Sequence, residues 1–227
     1  MKLLPVRFLI LAAVLCVSCG TVDDSKKYPN MVANVDPVPA GTIEVQFSRF
    51  LSSKLTKAEV DVIFYPRLNA VALEFRYELV RYRQFWDADS RKQFAQALEL
   101  YKADYEARNL IDRYRKTRAI YGKVRERVEW ETFKYANTHL AYPTIEIGYR
   151  FRDKMPYFST LMRSAKEEIV DGLSSPGGES AQISMFFTRA QADDLVYLFD
   201  QDFLLGLLGL KPGEKPNEEA DADPYDG

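Results

Sequence analysis

Cysteine is almost missing from this chain of 227 residues: the two it has are Cys16 and Cys19. Nothing beyond residue 19 can form a disulfide, hold zinc through thiolates or act as a thiol nucleophile. Histidine is scarcer still, with His139 standing alone. A Ser-His-Asp triad would have to run through that one residue, and no Gly-x-Ser-x-Gly elbow is present. Catalytic zinc takes three protein ligands, usually with more than one histidine, so a histidine-based zinc site is excluded by count. Gly177-Gly178 lies in a Ser-Pro-Gly-Gly-Glu stretch without the trailing Gly-Lys-Ser/Thr of a phosphate-binding loop. The residues thus designate no catalytic group, no metal and no cofactor. Long hydrophobic runs are lacking as well. The apolar stretch over residues 8–17 falls short of the roughly 20 residues that cross a bilayer.

That stretch has another use. Lys2 and Arg7 supply a positive n-region before it, and its length suits the apolar part of a signal peptide. Val17-Ser18-Cys19-Gly20 then resembles the lipobox of bacterial lipoproteins, with a small residue ahead of the cysteine. Cys16 stands where that pattern usually has leucine. Taking Cys16 as the modified residue instead would put Leu15 at a cleavage site that wants a small side chain. The resemblance covers only the leader. It implies cleavage before Cys19, lipid attachment at Cys19 and a membrane-tethered chain outside the cytoplasm, with ordinary secretion and an uncleaved anchor as the alternatives. Gly20, in place of the aspartate that resembles an inner-membrane retention signal, favours the outer membrane. Losing Lys2 and Arg7 would take the formal charge from -2 to -4, a mild excess that names no partner.

What the chain does have is aromatic residues, 14 Tyr and 14 Phe, many at alternating positions that suit half-buried strands. The reading divides the chain into a signal peptide (1–18), a lipidated N-terminus and tether (19–41), a single domain (42–210) and an acidic tail (211–227) rich in Pro, Glu and Asp. Within the domain, Ile43, Val45 and Phe47 alternate with polar residues as one strand, and Val71 to Tyr77 begins a second, long one with a bulge near Val80. Asp87 to Ser90 offers N-cap side chains before a run of helix formers over 91–121, with Phe94, Leu98, Tyr101 and Tyr105 on one stripe. Two more strands follow around Val128 and Ile147, able to pair antiparallel. A further strand at 183–187 precedes a last helix that starts at the Thr188/Gln191 capping box. Segments 56–65 and 157–170 stay undecided. The expected fold is α+β, a mainly antiparallel sheet packed against one long central helix and a C-terminal helix.

The strongest charge feature is a basic run that includes Arg113, Arg115, Lys116 and Arg118. As cations at the end of a helix these residues decorate its C-terminus favourably; as a surface they would meet an envelope protein, an anionic lipid or an acidic glycan. Nucleic acid is not an expected partner outside the cytoplasm. Glu129 and Glu131 share a polar strand face, where their expected role is solvation. The function expected is a membrane-anchored envelope lipoprotein acting as a non-enzymatic binding or scaffolding module. A carboxylate-based enzyme on polysaccharide or peptide, and a carrier of small apolar ligands, are the alternatives. A carrier calls for an apolar cavity between the Phe75 face and the helix stripe, an enzyme for buried polar groups with perturbed pKa values, and a scaffold for a filled core with an exposed patch.

Anchoring should depend on Cys19 alone. Metabolic labelling with a fatty acid should be lost in Cys19→Ala, which accumulates as precursor, and kept in Cys16→Ala; label persisting without Cys19 would refute the assignment.

Overall fold

The computed structural model describes residues 30–48, 54–111, 119–132, 138–168 and 178–212. Ten strands lie in one antiparallel sheet: β1 (Val38–Ser48), β2 (Leu55–Tyr65), β3 (Ala70–Tyr77), β4 (Val80–Trp86), β5 (Ala119–Arg125), β6 (Val128–Thr132), β7 (Thr138–Ala141), β8 (Thr144–Arg152), β9 (Met155–Met162) and β10 (Ile183–Phe187). Three helices accompany them: α1 (Ala88–Glu106), α2 (Arg189–Phe199) and α3 (Gln201–Leu207). The strand order is β5-β8-β9-β10-β1-β2-β3-β4-β6-β7, a half-barrel. Strand β1 starts at Val38, inside the stretch expected to be tether.

The expected long central helix over 91–121 is overturned. This is a mostly antiparallel sheet with three short helices, and α1 stops at Glu106. The apolar stripe explains the stop. Phe94, Ala97, Leu98 and Tyr101 are buried, whereas residues 106–109 are exposed, and Arg108 adopts a left-handed φ of 55°. Helix propensity is a weak prior that tertiary pairing overrides. Ile120, Tyr121 and Val124 accordingly run as β5 along β8. The supposed bulge near Val80 is instead a tight turn. Tyr77 pairs with Val80 and Glu78 takes a φ of 57°, so the phase shift in the sequence marks a hairpin between β3 and β4.

Both undecided segments contain strand. Val60, Val62 and Phe64 of β2 point into the core between β1 and β3, and Pro66 ends the run where no ladder N–H is available. Residues 155–162 form β9 after a two-residue turn in which Asp153 and Lys154 both have positive φ, the geometry of a primed hairpin turn.

The ends of the sheet are joined by one bent hairpin. Val128 pairs with Ala141 in the β6–β7 ladder and Arg125 with Thr144 in the β5–β8 ladder, so the register carries on with two residues passed over on each arm. Strand β6 pairs with β4 on one side of the bend and β8 pairs with β9 on the other. The arm bearing β7 receives hydrogen bonds from the segment after β9, Arg163 N–H to Thr144 O at 2.9 Å and Glu168 N–H to Leu140 O at 2.8 Å. On the arm bearing β5, the Tyr121 hydroxyl reaches back to Asp104 of α1 at 2.6 Å. Close approach also selects a glycine here: a Cβ on Gly148 would lie 2.0 Å from the Ala119 carbonyl oxygen.

Helices α1 and α2 cover the inner face, and the interior is aromatic. Phe94 meets Trp86, Phe158, Phe187 and Phe199 with ring centroids between 5.2 and 6.0 Å apart, all edge-on. Such pairs add about 0.5–1.5 kcal/mol each beyond the area they bury. The stripe that would have faced a carrier's cavity is therefore packed against rings. Helix α2 begins at the Thr188 capping box, with both reciprocal bonds to Gln191 made. Lys102 of α1 ties the helices together through Asp193 at 2.5 Å.

Arg91 fastens three elements. Its guanidinium donates to the Phe199 carbonyl at 2.7 Å, to both oxygens of Asn69 at 3.2 Å and to Gln201 Oε1 at 2.9 Å. Burial pulls its pKa down to about 10, against the opposing pull of Asp87 and Asp200. Arg91→Leu strips these carbonyls of their donors, at roughly 1–3 kcal/mol for each acceptor left unpaired. Calorimetry should show a melting temperature lower by about 6 to 12 °C for a net loss near 3 kcal/mol; a change under about 2 °C would disprove this bracing role.

Candidate functional site

A row of charge crosses the outer face of the sheet. Register sets Glu74 of β3 opposite Arg83 of β4, and Arg83 opposite Glu129 of β6, so alternating strands bring acid, base and acid side by side. Arg83 donates from Nε to Glu74 Oε1 at 2.6 Å and from Nη1 to Glu129 Oε2 at 2.8 Å. Arg81 holds the other Glu74 oxygen at 2.5 Å, the Tyr65 hydroxyl donates to Glu74 at 3.3 Å, and Arg127 donates to Glu129. Glu74 is 6% exposed and Glu129 8%. The solvation role expected of Glu129 is not what this face shows. Burial by itself would raise the Glu74 pKa; hydrogen bonds from Arg83 and Arg81 outweigh it and hold the carboxyl below the usual range.

Beside this row lies a hollow of about 290 Å³. Ala70 and Ala72 sit with Phe85 in a separate apolar cluster, against which Tyr65 and Leu68 of the hollow pack. Tyr65 and Phe85 meet edge-on at 5.1 Å, and the Arg127 guanidinium lies 5.2 Å from the Phe85 ring centre. The 34–37 segment forms one wall, held by Arg67 Nε donating to Asn34 Oδ1 at 2.7 Å. Three guanidiniums (Arg67, Arg83 and Arg127) and one carboxylate (Glu129) line the hollow; with the neighbouring ion-pair partners Arg81, Glu74 and Asp36 included, the net charge is four minus three, or +1. A positively charged, aromatic-floored depression of this kind suits an anionic group carried on an apolar body.

Cys19, Arg113, Arg115, Lys116 and Arg118 lie outside the described residues. Arg127, further along the same basic stretch, does line the hollow. His139 stacks on Trp130 at 5.3 Å with its Nδ1 3.0 Å from Glu167. Among the described residues no three His, Cys, Asp or Glu side chains are grouped to hold a metal. No helix among them is long and apolar enough to cross a membrane.

A second acidic group sits at the hairpin bend. Glu126 is buried there against the N-terminus of α1, accepting from the Ser90 hydroxyl near the capping residue Asp87. Burial pushes its carboxyl up to about 7; the Ser90 bond pulls the other way, and the Asp87 charge adds to the rise.

The family model described as "Uncharacterised Treponema protein" matches residues 40–206, from β1 into α3. The chain belongs to that family. A protein of Treponema pallidum (strain Nichols), described as an uncharacterized protein, is 24% identical to it over 196 residues, 86% of this chain. The chain spans 66% of that relative's length. No solved structure matches.

Glu126 makes stability pH-dependent. Its folded pKa is raised above the unfolded value, so the folded state holds the proton more tightly and stability falls as pH rises from about 4.5 to about 7, by about 3 kcal/mol in all. Glu126→Gln mimics the protonated acid. Denaturant unfolding at pH 5 and pH 8 should show that Gln removes most of this dependence and gives the more stable protein at pH 8; parallel pH curves for the two would rule Glu126 out as the cause.

Proposed function

We propose that the protein is a membrane-anchored lipoprotein of the cell envelope, tethered through lipid on Cys19 in the outer membrane, whose domain is a non-enzymatic binding or scaffolding module. The observation that carries this reading is the outer-face hollow, where arginines and rings are held in place by buried ion pairs. Groups fixed before the partner arrives lose less entropy on binding. The ring-packed interior agrees with it, since the space a carrier would need is occupied by Phe94 and its neighbours. A basic surface at Arg113, Arg115, Lys116 and Arg118 remains part of the proposal, as a further contact for an envelope protein, anionic lipid or glycan. One observation favours a second reading, a carboxylate-based enzyme: Glu126 has a pKa suited to general acid-base work. That carboxyl is enclosed at the hairpin bend, so a substrate would reach it only if the bend opened.

The test is photo-crosslinking in intact envelopes from Val35, at the lip of the hollow, and from Leu79, an exposed residue in the β3–β4 turn. A discrete adduct from Val35 and none from Leu79 is expected, unchanged when Glu126 is replaced by Gln. Adducts from neither position, or equally from both, would overturn the hollow as the contact site.

A further inference from the structure

We propose that the outer-face hollow seats the C-terminal residue of a partner polypeptide, its free carboxylate gripped by Arg67 and Arg127 and its apolar side chain laid on Phe85. This rests on the binding-module reading above and names the chemistry recognised at the same site.

Charge gives the sign of the ligand: with Asp36, Glu74 and Glu129 counted against the arginines they pair with (Arg67, Arg81, Arg83 and Arg127), the hollow and its surround still carry four minus three, or +1. Donor geometry gives its shape. Arg83 spends Nε and Nη1 on Glu74 and Glu129, whereas Arg127 spends Nη2 on Glu129 and makes no hydrogen bond through Nη1 among the described residues. A planar carboxylate is the group a guanidinium fork matches best. Glu129 in the wall disfavours a dianion such as phosphate, which would bring a second negative charge against it.

Size and polarity supply the rest. The hollow, about 290 Å³, lies at the lower end of small-ligand sites, which run from about 300 to 1,000 Å³. That is room for one side chain and the carboxylate next to it, with Val35, Pro37 and Leu68 offering apolar contact around the Phe85 floor. The last residue of a peptide carries both groups on one carbon, and capture of a terminal carboxylate is a recurrent mode of peptide recognition. An acidic oligosaccharide carries its carboxylates on hydroxyl-bearing rings, which match the apolar contacts of Val35, Leu68 and Phe85 less well than a hydrocarbon side chain does.

The full chain, purified in detergent, is titrated with a dye-labelled hexapeptide ending in phenylalanine, as the free acid and as the C-terminal amide, and with tri-galacturonic acid as the glycan probe. Fluorescence anisotropy, and competition for the glycan, should show the acid binding about tenfold or more tighter than the amide, as charge-assisted hydrogen bonds of this kind imply. Added salt should weaken the acid only. Arg67→Gln, at an exposed position, and Arg127→Gln should each cost most of the preference for acid over amide without changing the near-UV circular dichroism spectrum. Phe85→Leu should weaken acid and amide alike. Equal binding of acid and amide, a preference for the galacturonate, or binding of no probe would each overturn the proposal. If the Val35 adduct persists in any of those cases, the binding-module reading stands and only this ligand class fails; if the adduct is lost too, both fall.

Discussion

Between Arg125 and Val128 one arm of a long hairpin changes its surroundings without losing its register, and the closure of the whole sheet hangs on that bend. On one side of it β6 hydrogen-bonds to β4; on the other, β8 hydrogen-bonds to β9. The two ends of a ten-stranded sheet are thereby tied to a single hairpin, and the unpaired stretch of each arm is met by a neighbour, the segment after β9 or helix α1. Open edges are a standing hazard for β proteins, because their free N–H and C=O groups template pairing with other chains. Here geometry deals with most of that hazard. The helices then close the inner face, and the aromatic rings they share with the sheet exclude water from the core.

The same bend explains why charged residues are buried near it. Glu126 occupies the corner and is pressed against the start of α1, while Arg127, one residue on, emerges on the outer face beside Phe85. Adjacent residues thus serve opposite faces. On the outside, taking Glu74 and Glu129 from water is costly, and an isolated buried pair often fails to recover that cost. Chaining improves the balance: Arg83 is shared by both carboxylates, and each has a second arginine as well. The result is a stiff patch on the strand faces, and it is this stiffness, more than net stability, that a binding surface gains from such a network.

Where the sequence pattern left a segment undecided or suggested another structure, a non-local partner decided the outcome. Residues 56–65 carry a capping-box spacing that suits a helix, yet β1 and β3 flank them on both sides and their inward residues are Val60, Val62 and Phe64. The run over 91–121 is rich in helix formers throughout, but only the part that can lay Phe94, Leu98 and Tyr101 on the core is observed as helix. The bulge expected near Val80 and the observed hairpin leave the same phase shift in the sequence. Only the pairing of Tyr77 with Val80 tells them apart. The candidate site was the least legible part. Its alternation was visible, since Glu74, Arg83 and Glu129 each lie on a polar strand face, but their meeting depends on which strands are neighbours and in what register.

What the sequence determined by itself is local: the leader's resemblance to a lipoprotein signal, the absence of thiol and multi-histidine chemistry, the period-two strands around Val45, Leu73 and Ile147, the short apolar strand around Met185, and the capping box at Thr188. Each is written within a few residues, because side-chain periodicity and helix capping act over a turn or a short strand. What only the tertiary structure decided is long-range: the end of α1, the bent hairpin, the burial of Glu126 and the joining of Tyr65, Phe85, Arg67, Arg83 and Arg127 around one hollow. Those depend on contacts between residues far apart in the chain, such as Arg83 with Glu129, 46 positions away. A single sequence specifies such contacts only through the free energy of the whole packed structure, and no local pattern spells them out.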